Sequence, residues 1–176
     1  GDGSYTAINQ DNNNILYGSY QYLNMRKSTN SGNNWSTLYL PGGGNTAFIA
    51  PYIVCNDDPD VIYAGKSYML KSMNAGSNWS TMNGGQMLDG NLIVSTDVSD
   101  EFCEILYATT APIDNHCGIF RSFNGGENWD NITGTLPNRY PMDIVIGPDG
   151  DEILYVVMSG FGTSHLFRSV DAGDTW

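Results

Sequence analysis

The same order of apolar and polar positions recurs four times along the chain. Each unit has a strand ending on Ile8, Val54, Val98 or Ile146, followed by a polar turn such as Asn56-Asp57-Asp58-Pro59-Asp60 or Gly147-Pro148-Asp149-Gly150. An apolar-apolar-Tyr strand comes next: Ile15-Leu16-Tyr17, Val61-Ile62-Tyr63, Ile105-Leu106-Tyr107 and Ile153-Leu154-Tyr155. A variable loop then leads to a short strand that ends in a base: Met25-Arg26-Lys27, Met69-Leu70-Lys71, Ile119-Phe120-Arg121 and Leu166-Phe167-Arg168. Short apolar runs bounded by Gly, Asn, Asp and Pro predict strands joined by turns.

Each unit closes on an octapeptide, Ser-x-Asn/Asp-x-Gly-x-Asn/Thr-Trp. The copies run from Ser28 to Trp35, Ser72 to Trp79, Ser122 to Trp129 and Ser169 to Trp176, and they account for all 4 tryptophans. Their serines lie 44, 50 and 47 residues apart. A period of this size points to four-stranded repeats. The fold predicted is therefore all-β, a partial β-propeller of about four antiparallel blades with the octapeptide in the turn between strands 3 and 4. In that turn the Ser hydroxyl and the side chain of Asn30, Asn74, Asn124 or Asp171 can accept backbone N–H groups that the ladder leaves free. Gly32, Gly76, Gly126 and Gly173 supply a positive φ, and the Trp packs its apolar face on neighbouring strands. The octapeptide reads as a structural staple, since it holds neither a nucleophile nor a tuned acid.

Composition narrows the function. The chain carries 7 Lys+Arg against 19 Asp+Glu, a formal net charge of -12. Such a charge repels phosphate backbones, which argues against nucleic acid as a partner. No apolar run approaches the roughly 18 residues needed to span a bilayer. Gly, Asn, Ser, Thr and Tyr are plentiful, in keeping with strands and turns rather than helices.

The octapeptides resemble the Asp box, or BNR repeat, of sialidases, sortilin-type receptors, inverting xyloglucanases and a photosystem assembly factor. The fourth copy matches Ser-x-Asp-x-Gly-x-Thr-Trp in full, whereas the first three carry Asn30, Asn74 and Asn124 at the Asp position. Further stretches, including Leu136-Pro137-Asn138-Arg139 and Ser159-Gly160-Phe161-Gly162, resemble large secreted bacterial proteins of sialidase-like or sortilin-like type. The resemblance implies a secreted or cell-surface protein, which an acidic, Lys-poor, Asn-rich make-up suits. Approximate blades cover 1–41, 42–86, 87–136 and 137–176, the last of them truncated. Asp-box propellers usually have more blades than four, so the chain reads as a piece of a larger propeller whose natural partners are the missing blades.

Octapeptides and acidic turns share one face of such a propeller, and the variable loops share the other. The acidic turns read as solvated turn chemistry rather than calcium loops, because no run has the alternating carboxylate spacing of a dedicated site. On the loop face, Tyr20, Gln21, Tyr22, Lys66, Tyr68, Asp114, His116, Arg139, Tyr140, Phe161 and His165 mix aromatics with hydrogen-bonding groups. That mixture suits a glycan or peptide ligand, and equally suits loop capping and packing between blades. A retaining sialidase site fits poorly, since Arg26, Arg121 and Arg168 and all the glutamates map to the octapeptide side. An inverting glycosidase needs only two carboxylates separated by room for water and sugar, and Asp2 and Asp89, each just before a strand 1, are the candidates. No metal-ligand spacing and no cofactor motif is seen. Cys103 and Cys117 would not meet in a simple hairpin register, so Cys55, Cys103 and Cys117 are expected as free thiols. The function expected is a carbohydrate- or protein-binding scaffold module. The alternative is part of a glycoside hydrolase, xyloglucanase-like rather than sialidase-like.

Overall fold

The computed structural model describes residues 2–113, 115–162 and 164–176, so Asp114 lies outside the described residues. Four separate antiparallel sheets follow one another along the chain, each ordered as a meander. The first is β1 (Gly3–Ile8), β2 (Leu16–Tyr20), β3 (Asn24–Ser28) and β4 (Ser36–Thr37); the second is β5 (Tyr52–Val54), β6 (Val61–Gly65), β7 (Met69–Met73) and β8 (Ser80–Thr81). The third comprises β9 (Ile93–Val98), β10 (Leu106–Thr110), β11 (Ile119–Ser122) and β12 (Asp130–Asn131). The fourth has three strands, β13 (Pro141–Ile146), β14 (Leu154–Met158) and β15 (Leu166–Ser169). This is a partial β-propeller; the first three octapeptides occupy the turns between the third and fourth strands of their sheets, and the fourth follows β15.

Register explains why the strand-2 Tyr and the strand-3 base recur together. Tyr17 pairs with Lys27, Tyr63 with Lys71, Tyr107 with Arg121 and Tyr155 with Arg168, directly opposite in all four sheets. Lys27, Lys71 and Arg168 hold their charges 5.6, 5.3 and 5.8 Å from the facing ring centroid. Cation–π attraction of this kind contributes on the order of 0.5–1 kcal/mol at partly exposed sites.

Inside each octapeptide the Ser is the hub. Ser28 Oγ accepts Gly32 N–H at 2.9 Å and donates to Asn30 Oδ1 at 3.1 Å, while Asn30 Oδ1 accepts Asn34 N–H at 2.8 Å. The same bonds hold Ser72 with Asn74, Ser122 with Asn124, and Ser169 with Asp171. In the fourth copy Asp171 also accepts from the Thr175 hydroxyl at 2.6 Å. Its carboxyl is held down at about 2, first by the Ser169 hydroxyl and then by Thr175. Trp35, Trp79 and Trp129 each donate Nε1–H to the carbonyl of their own octapeptide glycine, at 3.0, 3.0 and 2.9 Å. Trp176 instead donates to Ile132 O, in the preceding sheet, at 2.8 Å.

The octapeptide glycines satisfy two constraints at once. All four have positive φ. In addition, a Cβ at Gly76 would lie 2.7 Å from Leu38 Cδ1 and one at Gly126 would lie 3.2 Å from Met82 Cγ, while one at Gly173 would collide with Ile132. Those three apolar residues belong to the sheet before, so the bare glycine is where successive sheets touch.

The apolar core is accordingly built between sheets. One cluster joins Tyr17 and Met25 of the first sheet to Tyr52, Val54, Ile62 and Leu70 of the second. Another joins Tyr63 and Met69 to Ile93, Val98 and Leu106, and a third joins Tyr107 and Ile119 to Ile144, Leu154 and Val156. Trp79, Trp129 and Trp176 pack on the first, second and third cluster respectively. Burying one such Leu or Ile contributes about 1.5–3 kcal/mol.

One sequence expectation is overturned. Cys55 and Cys103 form a disulfide, with Cα atoms 5.7 Å apart, that ties the turn after β5 to the turn before β10 in the next sheet. The pairing considered from sequence, Cys103 with Cys117, lay within one sheet, whereas the real partner sits one repeat away on the same face. Cys117 is free and buried, as expected of all three. Burial pushes its thiol up, which makes it a poor nucleophile.

The disulfide closes a loop across 48 residues of sequence. In the chain-entropy picture such a loop is worth about 4 kcal/mol. Paired Cys55→Ser and Cys103→Ser substitutions should lower the urea unfolding free energy by roughly that amount, with the same loss on reducing the wild type. Equal unfolding midpoints with and without reductant would show that the bridge does not constrain the fold.

Candidate functional site

On the loop face the candidate residues fall into four groups, one for each sheet. In the first, the β2–β3 hairpin turns through Tyr22 and Leu23, both at positive φ, 60° and 59°. Neither is glycine, so the turn holds strain of order 1–3 kcal/mol per residue. Leu23 is buried in the core and anchors the turn, which leaves Tyr22 facing solvent. Tyr22 meets the exposed Phe48 edge to face, with centroids 5.4 Å apart and planes at 82°, and its N–H donates to Phe48 O at 3.0 Å. Gln21 Nε2 donates to Asp2 Oδ2 at 3.0 Å beside them. Tyr20 lies under the Arg26 guanidinium, 6.0 Å from its centroid. An exposed aromatic pair next to a carboxylate–amide pair is therefore assembled from Asp2, Tyr20, Gln21, Tyr22 and Phe48.

Phe48 was not among the sequence candidates. The signal for it is the apolar run Ala47-Phe48-Ile49-Ala50 ahead of Pro51, in a loop that periodicity assigns to no strand.

The second group is internal. Lys66 is buried and donates Nζ–H to Pro41 O at 2.9 Å and Gly43 O at 2.7 Å, and burial pushes its pKa down. The Tyr68 hydroxyl donates to Gly43 O at 3.0 Å, and Ser67 N–H to Asn45 O at 2.8 Å. Both side chains are committed to pinning the 41–45 loop rather than facing a ligand.

Asp89 organises the third group. Its Oδ1 accepts Asn91 N–H at 2.9 Å, and its Oδ2 accepts the Thr110 hydroxyl at 2.5 Å and Asn91 Nδ2 at 3.3 Å. Asn91 Nδ2 also donates to His116 O at 3.1 Å, and Asn115 Nδ2 to Asp89 O at 3.0 Å. His116 Nδ1 lies 2.9 Å from Cys117 O. The Asp89 carboxylate is thus occupied by Asn91 of its own loop and Thr110 of β10, whereas Asp2 is exposed and among the described residues has Gln21 as its side-chain partner.

In the fourth group Arg139 lays its aliphatic stem on Gly160, whose Cβ, if present, would lie 2.9 Å from Arg139 Cδ. Ser159 N–H donates to Tyr140 O at 2.9 Å, and His165 Nδ1 lies 3.1 Å from Met158 O. Phe161 is almost wholly exposed. Burial, and after it Asp143 and Tyr140 of this sheet, raise the Tyr5 hydroxyl of the first sheet.

The octapeptide side holds an acidic cleft between the third and fourth sheets, lined by Asp97, Asp100, Glu101, Asp149 and Asp151. Asp97 bridges the sheets: its Oδ2 accepts Ile146 N–H at 2.7 Å and its Oδ1 accepts Val98 N–H at 3.0 Å. Burial raises its carboxyl to about 6, against the lowering effect of those two N–H groups. Among the described residues no group of three or more His, Cys, Asp and Glu side chains is arranged to hold a metal ion, and no helix is long and apolar enough to cross a membrane.

No family model matches the sequence, and no curated protein matches it. Solved structures do. A GH74 enzyme from Niastella koreensis superimposes with a TM-score of 0.74 at 21% identity, over 99% of this chain and 29% of that one. The GH74 xyloglucanase from Xanthomonas campestris gives 0.74 at 13% identity, over 98% and 28%. An auxiliary nutrient binding protein from Bacteroides thetaiotaomicron gives 0.63 at 15% identity, over 90% and 36%. At these identities the likeness establishes the propeller fold. The chain spans about a third or less of each of these structures.

Asp97 makes a signed prediction. An unfolded Asp titrates near about 4. The folded group keeps its proton to about 6, so its contribution to stability falls as pH rises between those values. Asp97→Asn should flatten the wild-type decline in unfolding free energy across that window. Parallel pH profiles for the two proteins would contradict the assignment.

Proposed function

We propose that this chain is part of an Asp-box propeller of the secreted kind and serves as a glycan-binding module, with its ligand at the aromatic hairpin of the first sheet. One observation carries this reading. Tyr22 and Phe48 stand exposed as an edge-to-face pair, held out by a hairpin with two non-glycine residues at positive φ, beside the Asp2–Gln21 pair. Aromatic faces stack on the apolar faces of sugar rings, and a carboxylate and an amide suit their hydroxyls. Three spans of sequence, at Asp2, Tyr20 to Tyr22 and Phe48, meet there, so the site needs the folded first sheet. Tyr140, Arg139, Phe161, His116 and His165 are peripheral candidates on the same loop face. The Cys55–Cys103 bridge favours an oxidising compartment, in keeping with secretion or display at the cell surface. Further blades of the same protein are the partners that its two end faces call for.

The second reading is part of a glycoside hydrolase, favoured by the likeness to GH74 propellers. Asp2 has the freedom of a catalytic carboxylate, but Asp89 is spent on Asn91 and Thr110. Within this segment the binding reading is therefore the stronger.

Glycan-array binding and hydrolysis, assayed on the same protein, separate the two. Binding to an oligosaccharide should weaken about tenfold in Tyr22→Ala and in Phe48→Ala, a loss of about 1.4 kcal/mol each. Asp2→Asn and Asp89→Asn should show no loss of turnover, because none is present. Hydrolysis abolished by Asp2→Asn would favour the enzyme, and full binding in both aromatic variants would remove the proposed site.

A further inference from the structure

We infer that a cavity between the second and third sheets, on the octapeptide side, binds a zwitterionic α-amino acid with an apolar side chain. The cavity measures about 380 Å³, within the range of small-molecule sites, and Lys71, Met73, Asn74, Asn78, Met82 and Glu127 line it. Its walls come from the two middle sheets, on the face opposite to the aromatic hairpin.

Lys71 differs from its counterparts in the neighbouring sheets. Lys27 donates to Ala75 O at 2.9 Å, and Arg121 donates to Ala172 O at 3.0 Å and pairs with Asp174 at 2.7 Å. Where those two octapeptides have alanine the third has Gly125, and a Cβ there would lie 2.7 Å from Lys71 Nζ. The bare glycine lets the ammonium settle against the turn, 5.3 Å from the Tyr63 ring centroid. Among the described residues Lys71 has no hydrogen bond and no ion pair. Its three N–H donors are therefore available to the cavity.

Two amides add donors beside it. Asn74 Oδ1 is committed to the Ser72 hydroxyl at 3.1 Å and to Asn78 N–H at 2.7 Å, which leaves Asn74 Nδ2 without a partner among the described residues. The Asn78 side chain is equally unpartnered. In the fourth octapeptide the same two positions close on each other, Asp171 Oδ2 accepting the Thr175 hydroxyl at 2.6 Å. Asn in place of both Asp and Thr thus turns a closed pair into two open amides next to a free ammonium. That donor set matches a carboxylate.

Glu127 supplies the opposite charge. It lines the same cavity and pairs with no base, Lys71 included, among the described residues. A net charge of -12 disfavours a ligand that is simply anionic, whereas a zwitterion carries no net charge to repel. Buried Met82 and exposed Met73 give the ligand's apolar side chain an adaptable surface. The corresponding hollow in the third octapeptide, lined by Arg121, Phe123, Asn124 and Asn128, lacks the free charge, because Arg121 is spent on Asp130 and Asp174.

Titration calorimetry with L-leucine tests the inference. The wild type should bind it with a Kd of millimolar or tighter, and L-leucinamide and N-acetyl-L-leucine, which lack one charge each, should bind about tenfold more weakly or worse. Asn74→Asp keeps the acceptor that Asp171 shows to be sufficient for the turn, so the variant should fold, yet it replaces a donor with a carboxylate and should abolish binding. Glu127→Gln should weaken binding about tenfold, and Asn124→Asp, in the neighbouring octapeptide, should leave it unchanged. No heat with L-leucine overturns the inference, whether or not the protein binds glycan. Equal affinity for either singly charged analogue overturns the zwitterion, and wild-type affinity in Asn74→Asp removes the site.

Discussion

The structure depends on contacts repeated from sheet to sheet: the tyrosine or the base paired across strands 2 and 3 of one sheet, Lys27 at the first junction, Tyr63 at the second and both Tyr107 and Arg121 at the third, reaches a carbonyl in the turns of the next. In a repeat fold one such sheet cannot bury its apolar face by itself, so the core forms only where neighbouring sheets stack. Its side chains become buried only when the following sheet lies on them, as the three clusters between sheets show. The tyrosine and the base direct that stacking because a carbonyl accepts along a limited range of directions. The octapeptide prepares the acceptor. Its Ser and Asx bonds fix the turn, the positive-φ residue turns its carbonyl outward, and the bare glycine admits the apolar side chain of the sheet before.

Much of this architecture was legible in the sequence. The tryptophan spacing marked the octapeptide turns, and the recurring tyrosine and base marked the two strands that cross-pair. Less legible was anything that depends on two repeats at once. The Cys55–Cys103 bridge joins turns one repeat apart, so a search within a single hairpin looked in the wrong place. Lys66 has the composition of a ligand contact, but three-dimensional folding brings the 41–45 carbonyls onto its ammonium. Asp89 looked free by position and is enclosed by Asn91 and Thr110. Phe48 was hidden because the loop that carries it has no periodicity to signal it.

These differences sort the loop face into two kinds of residue. Lys66, Tyr68 and Asp89 close loops, spending their polar atoms on backbone or neighbouring side chains. Tyr22, Phe48 and Phe161 expose apolar surface, and the first two are supported by buried or bonded neighbours. Rigid exposed aromatics lose little entropy on binding, which supports the proposed ligand site at the Tyr22–Phe48 pair. The acidic cleft on the opposite side is part of the joint between sheets, because Asp97 ties Val98 to Ile146 there.

The contact between sheets contains its own control. Tyr63 and Tyr107 donate hydroxyl hydrogen bonds to the next sheet, whereas the Tyr17 hydroxyl is buried with no partner among the described residues. Chemical unfolding of Tyr17→Phe, Tyr63→Phe and Tyr107→Phe therefore measures the contact directly. Tyr63→Phe and Tyr107→Phe should each lose about 1–3 kcal/mol, and Tyr17→Phe should be neutral or slightly stabilising. Equal losses in all three, or none in any, would show that packing alone orders the sheets.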